Sequence, residues 1–265
     1  MDIKDKLVLI TGASSGIGEA TAKAVAKRGG RVVLLARNRE RLKEVAAEIV
    51  AQGGWGACYP IDLSSAEAIR QVSKKIINET GTPDIIVNNA GAGRWLTVEE
   101  TSAEEVELMT AVPYFAAFNI TREFLPGMLD KGSGHVVNIT SVASRIVWPG
   151  NAAYTASRWA MNGFSNALRT ELRGSGICVT LAVFGKVNST FWTHNPGNEE
   201  RLPWLNRFIP DLTTEQAAEA IVRGIERNAR EVIRPGLFRL VFLLNFIFPR
   251  TTEMMMRLGW ESKKG

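Results

Sequence analysis

The sequence predicts an α/β fold: a doubly wound parallel sheet of about seven strands with helices on both faces. Short, almost unbroken apolar runs recur along the 265 residues, and a strand apolar on both sides is a strand buried on both sides. Segments of helical periodicity separate these runs, so successive strands are joined by right-handed crossovers and lie parallel. No Pro/Gly/Ser-rich spacer, repeat or long like-charge run divides the chain. A single domain is therefore expected over residues 1–235, followed over residues 236–265 by an apolar helical extension packed on that domain, on a subunit or on a membrane surface.

The expected strands cover residues 7–10, 32–36, 57–61, 85–88, 135–139, 179–184 and 231–233. A first helix follows over residues 16–28 and a second over 39–52. Ser64 with Glu67 and Ser102 with Glu105 have capping-box spacing, in which a hydroxyl and a carboxylate satisfy each other's backbone N–H groups. They predict helices after the third and fourth strands, and Thr213 with Gln216 predicts another near residue 214. A long helix is expected over residues 151–173.

Composition narrows the function. The formal charge of +5 is spread along the chain, which suits an anionic cofactor and argues against a nucleic-acid partner. Cys58 and Cys178, the only cysteines, fall in strand-like runs and are expected as buried free thiols in a reducing compartment. His135 and His194 are the only histidines, and no Cys/His/acid cluster has ligand spacing, so no metal site is expected. The charged residues 1–6 lead straight into a strand, and a cytoplasmic protein is expected, with peripheral membrane attachment as the alternative.

Between the first strand and the first helix lies Thr11-Gly12-Ala13-Ser14-Ser15-Gly16-Ile17-Gly18. Glycines let backbone approach a phosphate, and a helix N-terminus offers free N–H groups and positive partial charge, so Gly12, Ser14, Ser15, Gly16, Ile17 and Gly18 are candidate pyrophosphate-binding residues. The spacing is Gly-x-x-x-Gly-x-Gly, unlike the commoner dinucleotide fingerprint. The second strand ends in Ala36-Arg37, where an NAD site commonly presents an acid. Arg37 can instead pair with a 2′-phosphate, with Ser14, Ser15 and Asn38 in support, so NADP(H) is preferred and NAD(H) stays open. Asp62 and Leu63 after the third strand, and Asn89, Ala90 and Gly91 after the fourth, sit at the carboxyl ends where ligands bind such sheets.

Tyr154-Thr155-Ala156-Ser157-Arg158 puts a phenol and a cation four residues apart, on one helix face. A phenol of ordinary pKa about 10 is a poor proton donor and acceptor near neutrality, and a cation beside it favours the phenolate. The pair is the candidate general acid and its tuner.

Together TGASSGIG, NNAG, the Ser141 to Tyr154 spacing and YTASR resemble a short-chain dehydrogenase/reductase of the classical type, from residue 7 to about residue 233. The resemblance implies a Rossmann-like domain and a catalytic set of Ser141 and Tyr154, which hold the substrate oxygen, with Tyr154 transferring the proton. It gives Arg158 the place of a lysine that grips the nicotinamide ribose. It also puts Gly185 and Val187 beside the nicotinamide, in a turn that here reads Phe184-Gly185 where the family has Pro-Gly. The family's fourth residue, an asparagine whose carbonyl holds a relay water, falls on Pro113, which should kink its helix against the carbonyl of Met109 and still offers a carbonyl. Asn119, six residues on, lies roughly a turn and two thirds away. Arg158 keeps the charge but cannot pass a proton on. The expected function is an NADP(H)-dependent oxidoreductase, a homodimer or homotetramer, moving hydride between nicotinamide and a lipophilic ketone, aldehyde or alcohol. The alternative is a weakened or inactive dinucleotide-binding regulatory or scaffold protein.

Trp95, Trp148, Trp192 and Trp204 are expected in loops near the carboxyl rim, as an apolar substrate pocket or as lid packing. Arg94 and Arg145 either meet an anionic group or are plain surface charges. Residues 237–248, with Leu240, Val241, Phe242, Leu243, Leu244, Phe246 and Ile247 among Arg234, Arg239 and Arg250, are too few to span a bilayer of roughly 30 Å. Packing against protein is the expectation for this run, and a helix lying on a membrane surface is the alternative.

Overall fold

A computed structural model describes residues 1–258 and 260; Gly259 and residues 261–265, the end of the expected extension, lie outside the described residues. The chain runs β1 (Leu7–Thr11), α1 (Gly16–Lys27), β2 (Arg31–Ala36), α2 (Arg39–Ala51), β3 (Trp55–Pro60), α3 (Ala66–Thr80), β4 (Ile85–Asn88) and α4 (Ala103–Thr110). After a π-helical turn at Ala111–Phe115 come α5 (Ala116–Lys131), β5 (Gly134–Ser141), α6 (Ala152–Glu171) and β6 (Ile177–Phe184). The remainder is β7 (Val187–Asn188), α7 (Thr190–His194), β8 (Leu212–Thr213), α8 (Thr214–Glu226), β9 (Glu231–Arg234), α9 (Phe238–Ile247) and α10 (Pro249–Arg257).

The main sheet has 7 strands in the order β3-β2-β1-β4-β5-β6-β9, and every pairing is parallel. Alternate side chains explain why both faces are covered. Val8, Ile10, Val32 and Leu34 pack with Val25 of α1, Val45 of α2 and Ile221 of α8. Leu7, Leu9, Val33 and Leu35 pack on the other side with Ile76 of α3, Phe124 of α5 and Leu168 of α6. The strand order reverses between β1 and β4, which opens a crevice at their carboxyl ends. A separate two-stranded pair, β7 with β8, has no counterpart in the expected elements.

The capping boxes at Ser102 and Thr213 form as expected, starting α4 and α8. The one at Ser64 does not. Its hydroxyl donates to Asp62 at 2.8 Å, Glu67 pairs with Arg70, and Ser65 caps α3 by accepting from the Ala68 N–H. The interruption expected at Pro113 takes the form of the π turn, whose wider bonding pattern takes up a residue that has no N–H. Both cysteines are free but only half-buried rather than buried; Cys58 lies on the edge strand β3.

Inside the sheet, Asn88 donates to Asn138 at 2.8 Å and Asn138 donates to Ser165 at 2.9 Å. This buried chain ties β4 to β5 and to α6. His135, buried in β5, is bonded through Nε2 to the Thr180 hydroxyl at 2.7 Å, and that hydroxyl donates onward to the carbonyl of Ala229. Nε2 therefore carries the proton. Burial first, then the N-terminal charge, pushes His135 down from 6.5 to about 4.

Candidate active site

β1, β2, β4, β5 and β6 end on one edge of the sheet, where a cleft of about 950 Å³ opens. Its floor is the turn from β1 to α1. Gly12 and Gly16 have φ of +66° and +58°, a left-handed backbone that favours glycine. Ser15, the N-cap of α1, makes no side-chain capping bond, so the first-turn N–H groups face the cleft without a side-chain acceptor. Gly12, Ser14, Ser15, Gly16 and Ile17 line the cleft, but Gly18 does not. A Cβ on Gly18 would lie 2.2 Å from the Gly12 carbonyl oxygen, so this glycine seats α1 against the turn.

Asn89 holds the rim to that floor. Its amide donates to the carbonyls of Thr11 and Gly12 at 2.9 and 3.3 Å, and the Thr11 hydroxyl accepts from the backbone N–H groups of Asn89 and Ala90. Arg37, Asp62, Leu63, Asn89, Ala90 and Gly91 all line the cleft. Arg37 is exposed at its edge. The Asn38 side-chain oxygen caps α2 by accepting from the Arg41 N–H, and Asn38 also lines the cleft. Asp62 is held below the usual carboxylate range by hydrogen bonds from the Ser64 N–H and hydroxyl.

Ser141, Tyr154 and Arg158 line the same cleft. Ser141 closes β5 and accepts from the Ala143 N–H at 3.2 Å. Tyr154, in the first turn of α6, is 7% exposed, and Arg158 one turn later is 8% exposed. The guanidinium lies over the phenol ring, 4.6 Å from its centroid, and donates to the Ala92 carbonyl at 3.4 Å. Its Nε has no hydrogen-bond partner among the described residues. The loop after β4 clamps the pair from above: a Cβ on Gly93 would lie 2.5 Å from the Tyr154 ring, and one on Gly91 3.1 Å from the guanidinium. Pro113 is buried in the π turn and lies away from the cleft, which its neighbours Met109 and Val112 line instead. The carbonyl expected to hold a relay water is thus not part of the wall.

The remaining wall is apolar. Trp95 packs edge-on against Trp148, Tyr154 and Trp192, and its backbone N–H donates to the Asn198 side-chain oxygen. Trp95 and Trp148 lie in loops, whereas Trp192 sits in α7 and Trp204 in a 3₁₀ turn. Gly185 and Val187 line the cleft, with Phe238 of α9 packed so closely that a Cβ on Gly185 would lie 2.6 Å from it. Arg94 pairs with Glu105 and Arg145 with Glu231, so both are ion-paired, and only Arg94 lines the cleft. The sequence reading missed Gly93, Met109, Phe191, Leu205, Ile209 and Met256, all of which line it. Of these only Gly93 carried a local signal, as the second glycine of the loop after β4.

A family model described as short chain dehydrogenase matches residues 6–200. The chain is 32% identical over 261 residues to a protein named fatty acyl-CoA reductase from Acinetobacter baylyi, covering 98% of this chain and 85% of that one. It is 32% identical over 250 residues to estradiol 17-beta-dehydrogenase 11 of Rattus norvegicus, covering 93% and 81%. Among solved structures, a short-chain dehydrogenase from Sphingobium yanoikuyae in complex with NADPH superposes with a TM-score of 0.80 at 26% identity, covering 93% of this chain and 95% of that one.

Proposed function

The chain belongs to the short-chain dehydrogenases, oxidoreductases that use a nicotinamide dinucleotide, and from that premise we propose that it is an NADP(H)-dependent enzyme acting on a lipophilic ketone, aldehyde or secondary alcohol. One observation carries the reading: Ser141, Tyr154 and Arg158 line the same cleft as the glycine turn, and Arg158 keeps a buried Nε–H without a partner among the described residues. A ribose hydroxyl would satisfy that donor. The uncapped first turn of α1 suits a pyrophosphate held by Gly12, Ser14, Ser15, Gly16 and Ile17. Arg37, exposed where a 2′-phosphate would lie, gives the preference for NADP(H) over NAD(H).

Bound nicotinamide supplies or accepts the hydride at the substrate carbon. Ser141 holds the substrate oxygen with its hydroxyl, and Tyr154 gives that oxygen its proton in reduction and removes it in oxidation. The guanidinium over the ring stabilises the negative charge left on the phenolate. Asp62, Leu63, Asn89, Ala90 and Gly91 wall the nucleotide side, and Gly185 and Val187 the nicotinamide side. The tryptophan cluster, with Phe191, Leu205 and Ile209, excludes water and favours an apolar substrate. The fatty acyl-CoA and estradiol in the names of the two relatives agree with that choice. We further assign residues 1–235 to the catalytic domain and 236–265 to an extension, of which Phe238 packs against Gly185, and we expect a homo-oligomer in a reducing cytoplasm.

The test is NADPH oxidation, followed by absorbance, across a panel of lipophilic ketones and aldehydes. Tyr154→Phe should cut turnover by about 10²–10⁴-fold and leave NADPH binding, read by fluorescence, unchanged. NADPH bound but not consumed by the wild type with any member of the panel would return the protein to a binding role.

A further inference from the structure

α9 is apolar except at Arg239 and Asn245. Its inner face, Phe238, Val241 and Phe242, packs into the apolar cluster beside the cleft, and Asn245 donates to the Arg145 carbonyl at 3.1 Å. Its outer face carries Leu240, Leu243, Leu244, Phe246 and Ile247, all exposed, Phe246 to 85% and Leu243 to 53%. Helical spacing gathers Leu240, Leu243, Leu244 and Ile247 on the side opposite Phe238, with Phe246 on the flank beside Arg239. Contiguous exposed apolar side chains of this kind mark a surface that a partner or membrane covers. Phe248 and Met254 of the following segment extend it.

Charge decides what covers it. Between residues 234 and 258 the chain carries Arg234, Arg239, Arg250 and Arg257 against a single carboxylate, Glu253. Arg239, Arg250 and Arg257 are exposed and make no ion pair among the described residues. A second copy related by a two-fold axis would bring this patch against itself, arginine facing arginine with one glutamate per copy to offset them. An anionic bilayer offers hydrocarbon to the leucines and phenylalanines and phosphate or carboxylate to the arginines. Among the described residues no helix is long and apolar enough to cross a membrane.

We propose that α9 and α10 dock this protein flat on an anionic phospholipid surface. The same two helices line the cleft through Phe238 and Met256, so the bound surface lies beside the cleft mouth. Docking is a property of the outer face and stands apart from the reaction assigned to the cleft.

The experiment is sedimentation of the purified full chain with two kinds of vesicle: phosphatidylcholine alone, and equimolar phosphatidylcholine and phosphatidylserine. Sedimentation with the mixed vesicles, weaker with phosphatidylcholine alone, is expected. Arg250→Gln with Arg257→Gln should weaken it roughly fivefold per arginine, about 25-fold together. Leu243→Glu with Phe246→Glu should abolish it, with circular dichroism and NADPH fluorescence matching the wild type. Equal sedimentation of that variant, or none by the wild type on either vesicle, overturns the proposal. So does a wild-type dimer that Leu243→Glu with Phe246→Glu makes monomeric, because a second copy would then be the cover. NADPH fluorescence is read on vesicle-free protein, so a failure of the cofactor assignment is recorded separately from a failure to dock.

Discussion

Gly93→Ala should disable the reaction while leaving the cofactor bound. A Cβ at this position would sit 2.5 Å from Cδ2 and 2.9 Å from Cε2 of Tyr154. Ordinary carbon contacts begin near 3.5 Å, so the ring must retreat by about 1 Å. It has little room to do so. Arg158 stacks on the ring at 4.6 Å, and Trp95 and Phe191 lie at 5.8 and 6.3 Å between centroids. Gly93 itself has no left-handed backbone that would strain an alanine, so the clash acts on the phenol alone. A misplacement of about 1 Å at a reacting group costs on the order of 10²-fold in rate. Overpacking of this kind adds about 1–3 kcal/mol of destabilisation, a fall in Tm of about 2–10 °C. The assay is steady-state NADPH oxidation with the carbonyl turned over fastest, beside NADPH titration by fluorescence. A folded Gly93→Ala protein with wild-type kcat would refute the argument, since it would mean that the position of the Tyr154 ring does not set the rate.

Two further outcomes follow from other parts of the molecule. Arg37→Ala should weaken NADPH by about tenfold and NADH by much less, the loss of one exposed charge-assisted contact; equal losses for both nucleotides would remove Arg37 from the 2′-phosphate. The buried His135, lowered from 6.5 to about 4, makes stability pH-dependent. The unfolded chain takes up a proton that the folded chain refuses, so the contribution is complete above pH 6.5, falls on acidification and is gone near pH 4. Urea unfolding should show about 2 kcal/mol less stability at pH 5 than at pH 7, and His135→Gln should flatten that slope. An unchanged slope in His135→Gln would assign the acid sensitivity elsewhere.

The strands were legible because burial on both faces leaves an unbroken apolar signature, as in Val8, Leu9 and Ile10. β7 and β8, two residues each, are too short to show any period. The start of α3 was misread by one residue because Ser64 and Ser65 are adjacent and equally able to cap, and the contest is decided by Asp62, which takes the Ser64 hydroxyl. That the glycine turn and Arg37 line the cleft was legible because each turn is local: glycines beside a helix start, an arginine at a strand end. Gly18 shows the limit of that logic, since its pattern is that of a phosphate contact while its geometry is a packing contact with the Gly12 carbonyl. The apolar wall of the cleft was mostly illegible. Met109, Leu205 and Met256 come from distant segments and converge only through the fold.

Arg158 belongs with the loop that faces it. A lysine ammonium at this position would be a compact charge on a flexible stem, whereas the guanidinium is a plate that needs a flat surface on one side and an acceptor at its edge. The Tyr154 ring provides the surface and the Ala92 carbonyl the acceptor, and Gly91 leaves the guanidinium the space, since a Cβ there would approach it to 3.1 Å. Tyr154, Arg158 and residues 91–93 are therefore one packed unit. Charge is kept beside the phenol by a group that cannot shuttle a proton, while the buried Pro113 contributes nothing to the cleft wall. On the proposed reading, proton resupply to Tyr154 comes from solvent entering the cleft. Substitution of Arg158 by lysine alone would break the stack and the Ala92 bond, and so would not recreate the usual arrangement unless the loop moved with it.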